Sequence, residues 1–419
     1  MFHASPPATD ARPSMPSWVV ERRRPRVLLA WEHGRNAGRL SRLLVVADMV
    51  VQQGGEPVWV VPASQRPAAA LLARGDRCWT APGTIQQVFG PDFRADSFAD
   101  VLLASGFDTA DAVQSTVDAW AEILGTTMPA CVVLDYAPAA QLTCQLLGLP
   151  AFQLTNGFDA PPADCPPYAG VRADSPLGRH TAERVQRLSD TIAQVGAHFG
   201  GPHDSSLAKI LDYPRQVFEC IPETDPYGPR AGGLWVGPLV APQDTVDVPW
   251  PAGVSGRRVF AHLGGRAGAS ELLDELQRAD VATLCYWRDA PDAVLQHYQH
   301  GPVRVLREPL HLGRVLVEAD AVINQGSTAL VSQTLLAGKP QLILPADFEK
   351  LKVAQRVAAS GAALLWNRAE CPAREAVRRL LHVGELAQAA RGIAAGYAPD
   401  WAQTNRHRLA RELIGCALR

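Results

Sequence analysis

Apolar and polar positions alternate along this chain in a way that sets out its elements. The run Val-Leu-Leu-Ala-Trp at 27–31 meets the polar turn EHGRNAGR, and apolar residues then recur at Leu40, Leu43, Leu44, Ala47, Val50 and Val51. The first stretch reads as a buried strand and the second as one face of a helix. The pattern predicts a strand over 27–31 and a helix over 38–53 closed by Gly54-Gly55. Further strands are predicted over 58–61, 131–134 and 151–154, with a helix over 139–147. From Asn156 to about Pro214 the chain holds proline-rich loops and one long helical pattern, 182–199. The strand–helix–strand rhythm implies a parallel sheet covered on both faces.

Residues 238–256 are rich in proline and glycine and lack periodicity, as an interdomain linker would be. The rhythm then restarts. Strands are predicted at 258–263, 281–286, 303–306, 321–324, 341–344 and 362–366, and helices at 327–337 and 349–360 among others. The expected architecture is α/β: two doubly wound Rossmann-like domains, 26–237 and 257–400, facing across a cleft. Residues 1–25 are expected to be a disordered leader, and the amphipathic segment 401–419 a helix packing back across the domains. Ligands of such sheets gather at the carboxyl edges of the strands.

A length of 419 residues suits two domains, and 47% hydrophobic residues suffice for two cores. A net charge of −2 supplies no global field for nucleic acid or an anionic membrane. The eight cysteines are scattered without a CxxC pair, which fits reduced thiols in a cytoplasmic protein better than disulfides or zinc. No stretch reads as a transmembrane span, and the proline- and arginine-rich start lacks the apolar core of a signal peptide. Partnership with a second copy or another protein stays open.

Two turns carry candidate chemistry. After the strand 321–324 comes Gln325-Gly326-Ser327-Thr328, which opens a helix. A helix N-terminus offers unpaired N–H groups and the positive end of the dipole, so it suits a phosphate. Gly326 allows close approach, and Ser327 and Thr328 add hydroxyls; the alternative is that Ser327 simply caps a structural helix. In the first turn, His33 has a suitable intrinsic pKa for a base, and Asp135 ends a strand that reaches the cleft. Each also reads as an ordinary turn residue.

The segment ADAVINQGSTALVSQTLLAGKPQLILPADFEKLKVAQRV resembles the C-terminal half of GT-B glycosyltransferases of the bacterial macrolide- and flavonoid-type superfamily. Their signature runs roughly H-x-G-x-G-T…E-A-L-x-A-G-x-P…D-Q. WEHGRNAGRLSRL is similar to their N-terminal turn G-x-x-x-G-H-x-x-R, and VVLDYAP to their D-x-x-P segment. NGFDAPP and FECIPETDPYGPR…LWVGPL resemble a bacterial branch described as nucleotide-diphospho-sugar-binding proteins. The resemblance spans the chain from Arg26 onward. It implies an inverting, metal-independent glycosyltransferase that moves a sugar from a uridine or thymidine diphosphate donor to a small-molecule or glycan acceptor, with no further cofactor. Acceptor contacts would fall on Glu32, Asn36, Arg39, Asn156 and Phe158. Donor contacts would fall on Gly264, Gly265, Arg307, Gln325, Gly326, Ser327, Thr328, Glu349 and Lys350. The family's functional letters diverge here: its basic histidine falls on Arg39, its phosphate-turn histidine on Gln325, and its donor-sugar D-Q pair on Glu349-Lys350. A guanidinium cannot act as a base near neutral pH, which leaves His33 and Asp135 as the expected catalytic pair. The rival implication is an inactive scaffold that binds a ligand or a partner enzyme. A sugar-nucleotide epimerase of similar fold is a third.

Overall fold

Seven parallel strands form the first sheet: β1 (Arg26–Trp31), β2 (Glu56–Val61), β3 (Arg77–Thr80), β4 (Cys131–Asp135), β5 (Ala151–Thr155), β6 (Arg215–Phe218) and β7 (Leu234–Trp235). Their order is β3-β2-β1-β4-β5-β6-β7. The structure, a computed structural model, describes residues 24–33, 37–65, 74–83, 95–168, 172, 174–200, 206–228, 230–252 and 256–417. Asn36 and residues 1–23 of the expected leader lie outside the described residues.

The reason β1 reads as an unbroken apolar run is its position inside the sheet, with both faces covered. Leu28 and Ala30 pack on one side with Phe98, Val117 and Leu142. Val27, Leu29 and Trp31 pack on the other with Leu43, Ala47 and Val50 of the helix Ala37–Gln52. The terminal helix Trp401–Ala417 joins this second layer through Leu409, Leu413 and Ile414. Burying each of those three side chains contributes roughly 1.5–3 kcal/mol, so the end of the chain covers the sheet that the start of it began.

The second sheet comprises β8 (Arg258–His262), β9 (Ala282–Tyr286), β10 (Val303–Leu306), β11 (Ala321–Asn324), β12 (Gln341–Ile343) and β13 (Ala363–Leu365), in the order β10-β9-β8-β11-β12-β13. All its pairings are parallel. Residues 238–252 run between the sheets without regular strands or helices; Val246 makes one isolated bridge to Leu310. Among the described residues no helix is long and apolar enough to cross a membrane.

In each sheet the strand order reverses beside the first strand: between β1 and β4, and between β8 and β11. A crevice opens at such a point, and it is there that the polar turns of the sequence fall. Register places Trp31 opposite Asp135 at the first crevice and Ala261 opposite Ile323 at the second.

Candidate functional site

The first crevice is filled with charge. Arg39 and Arg42 stand three residues apart, hence on one face, in the first turns of the helix Ala37–Gln52. Arg42 donates from Nε to Asp135 Oδ2 at 2.5 Å and from Nη2 to Asp135 Oδ1, and its Nη1 donates to Glu219. Arg39 Nη1 donates to Asp135 Oδ1 at 2.6 Å, and its guanidinium lies 4.8 Å from the Tyr136 ring centre. Asp135 is 0% exposed. The expectation of Asp135 as the base is therefore corrected: both its oxygens accept from guanidinium groups and no face is open to an acceptor. Burial pushes the Glu219 carboxyl up to about 7, although Arg42 pulls the other way. Burial also opposes the charge on Arg42, and the carboxylates of Asp135 and Glu219 more than restore it.

Glu32, expected as an acceptor contact, is engaged within the first domain. Its two oxygens accept from the backbone N–H groups of Ala139 and Ala140, at 3.1 and 2.6 Å. These belong to the first turn of the helix Pro138–Leu147, whose own preceding residue, Ala137, has no side-chain cap. A carboxylate from the neighbouring strand end thus caps this helix. Burial pushes the Glu32 carboxyl up to about 8 against those two donors. His33 is buried beside it, Nε2 lying 3.6 Å from Glu32 Oε2, with its ring edge-on to Tyr136. Burial, aided by Arg39, lowers the His33 imidazole to about 4.

The loop after β5 joins the two domains. Asn156 Nδ2 donates to Thr328 Oγ1 at 3.1 Å and to Glu349 Oε1 at 2.5 Å. Arg39 Nη2 approaches Glu349 Oε2 at 3.7 Å. Phe158 is buried; it stacks on Tyr168 at 5.7 Å and lies 6.1 Å from Phe348. Asn156 and Phe158, expected as acceptor contacts, are interdomain contacts here. Glu349, expected to hold the donor, turns its carboxylate to the first domain.

In the second crevice the residues expected to form a donor turn come together. Gly326 has φ +84°, and an added Cβ would lie 3.0 Å from Lys350 Cβ and 3.1 Å from Lys350 O. Its N–H donates to Asn324 Oδ1 at 2.8 Å, which folds the turn. Ser327 precedes the helix Thr328–Leu336 and makes no side-chain cap, so the capping alternative gives way. Gln325 packs against Gly264, where a Cβ would lie 3.1 Å from Gln325 Nε2. A Cβ on Gly265 would meet nothing within 4 Å; the carbonyl of Gly264 accepts from Arg266 N. Lys350 Nζ binds Asp347 at 2.5 Å. Arg307 does not reach this group: its Nε donates to Ala290 O at 2.8 Å and its Nη2 to Asp292 at 2.6 Å.

Sequence reasoning missed Arg42, Glu219, Asp159 and His262. The first three lay inside quoted motifs: the arginine three places after Arg39, the glutamate of FECIPET, and the aspartate of NGFDAPP. His262 ends β8 beside Tyr286, and burial together with Arg288 and Lys350 lowers it to about 4. Strand-end polarity was the available signal.

No protein-family model matches the chain. A PGL/p-HBAD biosynthesis glycosyltransferase of Mycobacterium tuberculosis is 24% identical over 313 residues, covering 68% of this chain and 71% of the relative. The glycosyltransferase SnogD from Streptomyces nogalater superposes with a TM-score of 0.60 at 20% identity, covering 92% of this chain and 99% of that one. The glycosyltransferase VinC in complex with dTDP gives 0.64 at 17% identity, covering 94% and 100%. With two parallel sheets facing at their crevices and a match over nearly its whole length to such structures, this chain has the GT-B fold of the glycosyltransferases it resembles.

Proposed function

We propose that the chain transfers a sugar from a nucleoside-diphosphate donor to a hydroxyl-bearing acceptor, with inversion at the anomeric carbon. The observation that carries this reading is the turn Gly326, Ser327, Thr328. It lies at the N-terminus of a nine-residue helix, its serine does not cap that helix, and it is bound across the cleft by Asn156. The first N–H groups of the helix are thereby left for an outside acceptor, and a diphosphate is the anion that such a terminus favours. Lys350 packs its Cβ and carbonyl oxygen against Gly326, while its ammonium is paired with Asp347. The dTDP bound to VinC supports a nucleoside diphosphate as the ligand class.

Transfer needs developing negative charge on the leaving diphosphate to be met by fixed donors. The helix terminus supplies them without reorganisation. The acceptor enters from the first domain, whose crevice is adjacent through the loop after β5. Calorimetric titration with dTDP and UDP tests the donor site, and release of nucleoside diphosphate from dTDP-glucose or UDP-glucose tests the reaction. Saturable binding of either nucleotide is expected. Absence of binding by both would replace this reading with that of a scaffold without a donor site.

A further inference from the structure

At the second crevice positive charge gathers with little to balance it. Side chains alternate along a strand, so His262, the last residue of β8, stands on the same face of the sheet as Phe260. Phe260 packs with Tyr286, Val322 and Leu330, and Leu330 is the third residue of the helix Thr328–Leu336. The His262 imidazole is thereby placed on the side that the first turn of this helix covers. Its ring lies 5.0 Å from that of Tyr286, and it makes no hydrogen bond to any described residue.

Tyr286 brings Arg288 into the same group: Arg288 Nε donates to Tyr286 Oη at 3.1 Å, and among the described residues no carboxylate pairs with this guanidinium, its neighbour Asp289 included. Lys350, packed on Gly326 with its ammonium on Asp347, is the second cation that acts on His262. Gln325 Nε2, beside Gly264, is buried without an acceptor. The crevice thus holds an unbalanced guanidinium, an unpartnered imidazole and a buried N–H group without an acceptor, all of which an anion satisfies. We infer that Arg288 and His262, the latter as imidazolium, bind the diphosphate of the donor together with the Gly326–Thr328 turn. The inference rests on the transferase reading above.

A diphosphate suits this set better than a single charge. One phosphate meets the N–H groups of the helix terminus, and the other is left for the guanidinium and imidazole beyond them. Burial, with Arg288 and Lys350, lowers the His262 imidazole to about 4, and among the described residues no carboxylate acts against them. A diphosphate set among these groups brings the opposite charge and favours the imidazolium. Binding therefore takes up a proton, and affinity falls as the pH rises through the value that the imidazole reaches in the complex.

The test is calorimetric titration of the full chain with dTDP and UDP, and with thymidine and uridine, which lack the phosphates. Arg288→Ala is expected to weaken binding of the diphosphates by about 10–100-fold and to leave the nucleosides within about two-fold of the parent. Repeating the titrations at pH 6 in Pipes and in imidazole, buffers of different ionisation heat, reads the protons exchanged. The parent should take up about 0.5–1 proton more than His262→Gln, a difference in which the ionisation of the nucleotide itself cancels. Diphosphate affinity within two-fold of the parent in Arg288→Ala overturns the inference, as does an equal loss for the nucleosides or equal proton uptake in the parent and His262→Gln. Failure of the parent to bind either diphosphate overturns the donor-site reading instead. Should His262→Gln not fold, the affinity of the parent for dTDP decides. It should fall at least about three-fold between pH 6 and 8. The charge that dTDP gains over that range acts the other way, so a flat or rising affinity overturns the inference.

Discussion

Arg42 grips Asp135 with two N–H groups, Nε to Oδ2 at 2.5 Å and Nη2 to Oδ1, and Arg39 adds a third contact at 2.6 Å. Paired contacts of this kind fix both position and orientation. The consequence is that the strand end expected to deliver a reactive carboxylate delivers an anchor. Arg39, where the resemblance leads one to expect a basic histidine, is directed toward Asp135 on one side and Glu349 on the other.

Breaking this anchor should be costly, because it strands buried charge. Asp135→Asn leaves two guanidinium groups, each 6% exposed, without their shared anion. The expected loss is about 3–5 kcal/mol, seen as a lower urea midpoint with little change in slope. Glu56→Gln serves as the comparison. Its contact to Arg26 is 3.4 Å long and partly exposed, and its loss should cost under about 1 kcal/mol. Equal effects of the two changes would show that the arginine–aspartate group is not holding the crevice.

The fold was legible because its signal is periodic. β1, β4, β8 and β11 are apolar runs bounded by polar turns, and the structure keeps each within a residue of its expected ends. β3, β6 and β7 were not anticipated: β3 (RCWT) and β6 (RQVF) open on polar residues and are not apolar runs, and β7 has two residues. Partnerships were harder to read than positions. Nothing in the spacing of Glu32 indicates that it caps a helix beginning more than a hundred residues later. Nor does a motif show that Asn156 pairs with Thr328 across 172 positions. Such contacts depend on which strand ends meet, and sheet order decides that.

Asn156 is a side chain that ties the loop after β5 to the proposed donor turn. Asn156→Ala removes its bonds to Thr328 and Glu349. At about 0.5–1.5 kcal/mol for a neutral hydrogen bond and about 1.5–3 for one to a charged group, the closed arrangement should lose at least several-fold in population. Small-angle scattering should report a larger radius of gyration, with thermal unfolding of each domain little changed. An unaltered radius would mean that the aromatic contacts around Phe158 and Phe348 suffice to hold the domains.

Gly326 should tolerate no side chain. Its φ of +84° disfavours any L residue, and a Cβ would crowd Lys350 at 3.0–3.1 Å from both Cβ and the carbonyl oxygen. Gly326→Ala is expected to destabilise by about 1–3 kcal/mol, and Gly326→Val by more. Ser327→Ala should leave stability within about 0.5 kcal/mol, since this serine makes no cap. It should weaken dTDP binding by about 1 kcal/mol if its hydroxyl reaches the phosphate. Calorimetry and thermal unfolding on the three variants separate these effects; wild-type nucleotide affinity in Gly326→Val would place the diphosphate elsewhere.

His33 should make the protein sensitive to acid before its carboxylates do. Its imidazole is 6% exposed, and burial with Arg39 lowers it from the ordinary 6.5 to about 4 in the folded chain. Between those values the unfolded chain binds a proton that the folded chain refuses. Stability from this residue is therefore complete above about pH 6.5 and is lost as the pH falls toward 4, by roughly 3 kcal/mol at most. Glu219, raised to about 7, works in the opposite direction over much of the same range, so the parent curve alone does not isolate the effect. The difference between parent and His33→Gln does, because the carboxylates are common to both. The variant should lose less stability between pH 6.5 and 4 than the parent, in urea titrations at half-unit steps. Parallel curves would mean that His33 is as easily protonated in the folded chain as in water, and that its contact with Glu32 at 3.6 Å outweighs both burial and Arg39.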